Sequence, residues 1–121
     1  MISNNYFTDD EDLQIFFNHL IDWDSTVSAA EGDDFHDHRI FQATGNSRYE
    51  MAPSSVQDAV DLYRSCLESL GDFSGKEISQ VSREMDRKHL KYANGKVIFP
   101  EETVAVFEKF RDTGLMPYSI S

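Results

Sequence analysis

Residues 55–88 read SVQDAVDLYRSCLESLGDFSGKEISQVSREMDRK, and their reading decides the fold. Apolar or small side chains fall at Val56, Val60, Tyr63, Leu67, Leu70, Ser74, Ile78, Val81 and Met85. The steps between them are 4, 3, 4, 3, 4, 4, 3 and 4, close on average to the turn of an α-helix. The phase carries through Gly71 and Gly75. Each glycine costs a helix about 1 kcal/mol relative to alanine, yet an inserted loop would reset the phase. The pattern therefore predicts one long helix over about 55–88, with any bend near 71–75. Two helices in coincidental register are the alternative.

The chain after this helix has clear punctuation. Asn94-Gly95 is a strong two-residue hairpin signal, because both residues tolerate positive φ. Leu90 and Tyr92 alternate on one side of it, Val97 and Phe99 on the other. A short β-hairpin near residues 90–99 follows, and an isolated hairpin is marginal, so it is expected to pack on helices. Pro100, followed by Glu101 and Glu102, opens a last helix over about 100–113, with Val104, Phe107 and Phe110 along it and Gly114 as its stop. The tail from Leu115 through Met116, Tyr118 and Ile120 is apolar and expected to need cover.

Before the long helix the signals are uneven. Thr8 and Glu11 form a capping box, acids fill positions 9–12, and Leu13, Phe16, Phe17, Leu20 and Ile21 make a helical stripe. A first helix over about 9–21 is predicted, with Trp23 anchoring the turn that follows. Val27, Ala29 and Ala30 suit a short helix. Residues 33–54 read as a loop-rich insertion, from Gly32, Gly45, Asn46 and several acids. Ser54 or Ser55 can cap the long helix. The fold class expected is mainly α: one helical domain over 1–121, a small bundle of three to four helices, one of them long, with a short hairpin.

At 121 residues the chain suits one domain, and an apolar share of 40% with nine phenylalanines can fill a core. Lys and Arg number 11 against 22 Asp and Glu, a net charge of −11. Such a surface repels phosphate backbones and anionic lipid, so neither nucleic acid nor membrane is an expected partner. No apolar run approaches the length of a membrane span, and the acidic N-terminus is no signal peptide. With the single Cys66, these features point to a soluble, cytoplasmic protein. The charge is uneven: residues 1–60 hold 12 acids and only Arg39 and Arg48. That half is either a solvated face or a surface for a basic partner.

Catalytic signatures are sparse. The run Asp33-Asp34-Phe35-His36-Asp37-His38 has metal-ligand chemistry, but His36 and His38 at i, i+2 suit neither one helix face nor a zinc spacing. A solvated acidic loop is the reading adopted, and no metal is expected. His19 and His89 read as structural, Cys66 as a buried spectator. There is no phosphate loop and no nucleophile elbow.

Several stretches together resemble the N-terminal helical domain of acyl-CoA dehydrogenases, in a bacterial branch of that family. They are residues 71–78 through Met85-Asp86-Arg87, then Tyr92-Ala93-Asn94-Gly95-Lys96 through Pro100, then Phe107-Glu108-Lys109-Phe110 and Gly114-Leu115-Met116. Tyr6-Phe7 and Ile21-Asp22-Trp23 add to the likeness, which covers most of the chain outside about 33–54. Gln80 stands near where the family often has proline, and His36 and His38 match no family signature. The resemblance implies a flavoprotein in which a carboxylate takes the α-proton of an acyl-CoA thioester and FAD takes the β-hydride. It places that base and most flavin contacts in later domains, so no catalytic or flavin-binding residue carries over here. It implies a wall of the acyl pocket or a domain interface, with Phe110, Leu115, Met116 and Tyr118 as candidates. The partners implied are the middle and C-terminal domains, with FAD bound only by the longer protein. The alternative is a stand-alone acidic interaction module that self-associates through its apolar tail.

Overall fold

The computed structural model describes residues 4–115. They form a mainly helical fold with one small antiparallel hairpin. In chain order the elements are α1 (Glu11–Ile15), α2 (Trp23–Glu31), α3 (His36–Thr44), α4 (Val56–Phe73), α5 (Ser79–Arg87), β1 (Lys91–Ala93), β2 (Lys96–Ile98) and α6 (Glu101–Asp112). π-helical turns at Phe16–Leu20 and Ser74–Ile78 extend α1 and join α4 to α5. A 3-10 turn lies at Ser47–Tyr49. Backbone contacts divide the chain into two compact units: Glu11–Leu67 in one, Met1–Asp10 with Glu68–Ser121 in the other.

The decisive stretch is helical from Val56 to Arg87. Phe73, Ile78 and Ser79 all keep right-handed helical backbone angles, so both glycines lie inside helix. The π turn sits where the sequence steps by 4 twice, from Leu70 to Ser74 to Ile78. A π turn holds more residues than an α turn, so the wider spacing keeps the apolar line in phase. The Gly75 carbonyl there accepts from Ser79 Oγ at 2.6 Å and from Gln80 Nε2 at 3.4 Å.

In the Glu11–Leu67 unit the buried apolar side chains are Phe17, Val27, Ala59 and Val60. Val27 is fully buried, and burying such a side chain is worth roughly 1.5–3 kcal/mol. Trp23 anchors its turn as expected: its indole N–H donates to the Phe17 carbonyl at 3.0 Å, and its ring meets Phe17 at 4.6 Å and Tyr63 at 6.1 Å. Asp22 caps α2, accepting from Ser25 N and Ser25 Oγ. These bonds hold its carboxyl below the usual range.

Two expectations are corrected in this unit. The first concerns α1, which begins at Glu11 rather than near Asp9. Asn5, not Thr8, gathers the amides before it: its Oδ1 accepts from Phe7 N and Thr8 N, both at 2.9 Å. Of the predicted stripe only Phe17 is buried, while Phe16 and Leu20 are more than half exposed. Leu13, ahead of the π turn, is exposed as well, whereas the Phe17 ring packs on Trp23. The second concerns 33–54, expected to be loop-rich, where α3 occupies His36–Thr44. Gly32 and Gly45, read as loop composition, are helix ends: both take positive φ, and Gly45 N donates to the Phe41 carbonyl at 2.7 Å. The helical runs among the described residues are therefore five rather than three to four.

In the other unit Phe7, Phe73 and Leu115 are buried, with the Phe110 ring 5.5 Å from Phe73. The N-terminal segment crosses the helix at Gly71. Tyr6 N donates to the Gly71 carbonyl at 3.1 Å, and Asn5 Nδ2 to the Glu68 carbonyl at 3.1 Å. A Cβ at Gly71 would lie 2.6 Å from Phe7 N, so only glycine admits this crossing. No helix among the described residues is long and apolar enough to cross a membrane.

Candidate functional site

The hairpin forms as the Asn94-Gly95 pair dictates. Asn94 has φ 53° and Gly95 φ 76°, the left-handed pair of a two-residue turn. Its register sets Lys91 opposite Ile98, Tyr92 opposite Val97 and Ala93 opposite Lys96. Tyr92 and Val97 thus share one face, Lys91, Ile98, Ala93 and Lys96 the other. The expectation that this hairpin packs on helices is corrected: every residue of both strands is exposed, Tyr92 by 76%. The tight turn and its ladder hold it. At its base Lys88 Nζ donates to Glu102 Oε1 at 2.5 Å. That bond pushes the lysine up and holds the glutamate carboxyl down.

α6 starts on Pro100, whose carbonyl accepts from Thr103 N and Val104 N. Glu101 and Glu102 meet the positive end of the helix. Lys109 Nζ pairs with Glu77 Oε2 at 2.7 Å, tying α6 to the π turn of Ser74–Ile78. The helix then presents two kinds of apolar surface. Phe110 turns inward to Phe73, and Leu115 is buried after Gly114 at φ 75°. Val104 and Phe107 stay exposed, Phe107 by 64%. With Phe99, Thr103 and Glu108 they line an open groove of about 610 Å³.

Of the residues singled out from sequence, then, Leu115 is buried in its unit and Phe110 is half-buried with its ring against Phe73. Met116 and Tyr118 fall outside the described residues, as does the rest of the tail through which self-association was expected. The groove residues Phe99, Val104 and Phe107 were not singled out. Their signal was present in the i, i+3 spacing of Val104 and Phe107, but it reads equally as core.

The acidic unit offers polar groups that are already engaged. The Tyr63 hydroxyl donates to Glu31 Oε1 at 2.6 Å, and burial, then Glu31, push the phenol well above its ordinary value. The Arg64 guanidinium lies 4.6 Å from the centre of the Phe17 ring. Cys66 is half-buried and free, and burial pushes its thiol up. That direction lowers its thiolate fraction. A shallow pocket of about 380 Å³ has Glu50, Asp58 and Asp61 in its wall. Asp58 accepts from Ser54 Oγ and Asp61 from Gln57 Nε2. His36 opens α3 exposed and His38 is half-buried. Among the described residues no three or more His, Cys, Asp or Glu are gathered to hold a metal ion.

Compared with known proteins, the chain matches no family model, no curated protein and no solved structure.

Proposed function

We propose that this chain is the front helical part of an acyl-CoA dehydrogenase-like flavoprotein and supplies wall and interface rather than reacting groups. The observation that carries the reading is the open apolar groove that Phe99 forms with Val104 and Phe107 of α6. It is supported by the order of elements in the sequence and the fold: a long helix ending at Arg87, an Asn94-Gly95 link, a helix opened by Pro100 and Gly114-Leu115 after it. An apolar groove of this size suits an acyl chain or an apolar partner surface. Flavin does not fit it, because its polar members are Thr103 and the acidic Glu108, which repels a pyrophosphate. The hydride acceptor and the carboxylate base therefore belong to other parts of the protein, and this chain's task is to exclude water from the acyl chain.

The test is spectroscopic. The 121-residue chain alone is expected to be colourless after dialysis and without dehydrogenase activity. The product translated onward from the same frame is expected to carry a flavin band bleached by acyl-CoA, and Phe107→Asp in it to raise KM more than it lowers kcat. A flavin band retained by the 121-residue chain, or a coding sequence past Ser121 without a flavin domain, overturns the reading.

A further inference from the structure

A second cavity, of about 480 Å³, lies where the end of α5, the base of the hairpin and the start of α6 come together. The hairpin register sets one wall. Lys91 and Ile98 are ladder partners on one face, and both line the cavity. Pro100 turns the chain into α6, and the first residue of that helix, Glu101, lines the cavity too. His89 and Phe99 complete the wall, Phe99 being shared with the groove of α6. Lys88 also borders it but is engaged, since its ammonium donates to Glu102.

The two free charges in this wall have opposite sign. Lys91 and Glu101 form no ion pair among the described residues, either with each other or with a third group. His89 makes neither a hydrogen bond nor an ion pair among the described residues. An ammonium and an imidazole N–H suit a carboxylate, and the Glu101 carboxylate suits an ammonium. A simple anion would meet like charge at Glu101, and a simple cation would meet it at Lys91. A molecule carrying both signs satisfies both. Ile98 and Phe99 are about half exposed and add apolar wall beside the charges. The volume lies within the range of small-molecule sites.

We propose that this cavity binds a small zwitterion with an apolar body, of the class of a free amino acid with a large apolar side chain. Its carboxylate goes to Lys91 and His89, its ammonium to Glu101, and its side chain to Ile98 and Phe99. The proposal goes beyond the flavoprotein reading and does not rest on it. A ligand this small, held at an open site by solvated charges, binds with a Kd of about 1 mM.

Titration of the full chain with L-phenylalanine, followed by amide chemical shifts, tests it. Saturable shifts are expected at Lys91, Ile98 and Glu101, with none at Val60 in α4. Glycine, 3-phenylpropionate and phenethylamine each lack one of the three features. Each is expected to bind at least about fivefold more weakly. Lys91→Met is expected to weaken phenylalanine about fivefold and to leave phenethylamine unchanged. Glu101→Gln is expected to weaken phenylalanine similarly and to leave 3-phenylpropionate no weaker. Circular dichroism should show both variants folded, since both side chains are exposed. The proposal is overturned if phenylalanine gives no saturable shift up to about 20 mM. It is equally overturned if 3-phenylpropionate or phenethylamine binds as tightly as phenylalanine, or if either substitution leaves the phenylalanine affinity unchanged.

Discussion

Gly71 is where one absent side chain decides a crossing. In a helical pattern it looks like a mere cost, and nothing in the helix itself reveals that the segment around Asn5 to Phe7 lies against it. Gly71→Ala puts a Cβ against the Asn5 side chain and, at 2.6 Å, against the Phe7 backbone N, and the backbone contact is relieved only if the segment moves. We expect about 2 kcal/mol of destabilisation in urea titration, against the small gain a helical Gly→Ala normally brings. Tyr63 makes a pH-dependent contribution. Its phenol is raised above the ordinary value of about 10 by burial and Glu31, so the folded state favours the neutral form. The stabilisation is complete below that ordinary value and is lost as pH rises toward the folded one. Spectrophotometric titration should leave one of the five tyrosines protonated after the exposed ones have ionised. Tyr63→Phe should remove that lag and cost about 1 kcal/mol at neutral pH through the lost hydrogen bond.

At the level of elements, the long helix and the hairpin were legible because their signals are local and repeated. The apolar steps through 55–88 carry even the position of the π turn, in the two successive fours at Leu70, Ser74 and Ile78. Asn94-Gly95 fixes a turn whatever surrounds it. α3 was hidden because His36, Asp37, His38 and Arg39 open it with polar residues, and because Gly32 and Gly45 signal a loop and a helix end alike. The α1 stripe misled for a different reason: helical spacing says which residues share a side, not whether another element covers it. Phe17 is buried with its ring against Trp23, while Leu13, Phe16 and Leu20 are exposed. The exposed hairpin should also be the locally weak element. Three paired positions with no buried side chain leave little to resist opening. Amide exchange at Lys91 and Ile98, a pair that bonds across the ladder, should be faster than at Val60 and Tyr63 in α4, by at least about 100-fold. Equal protection would mean the hairpin is covered.

For the whole molecule, composition spoke clearly about charge and poorly about the site. The acid excess of residues 1–60 is plain from the sequence, and so is the acid-free run from Arg87 to Phe99. What sequence could not separate is which apolar residues of α6 turn inward. Phe110 and Phe107 are three apart on one helix, yet one meets Phe73 and the other faces out. That distinction depends on the tertiary position of Phe73, which helical spacing does not contain. The account stands on the helix that runs unbroken from Val56 to Arg87, since α6 is tied to it through Phe73 and Glu77 and the hairpin springs from its end. Backbone carbon chemical shifts along this stretch test it most directly. They should remain helical through every residue from Gly71 to Ile78, and a return to random-coil values at Gly71 or Gly75 would contradict the account.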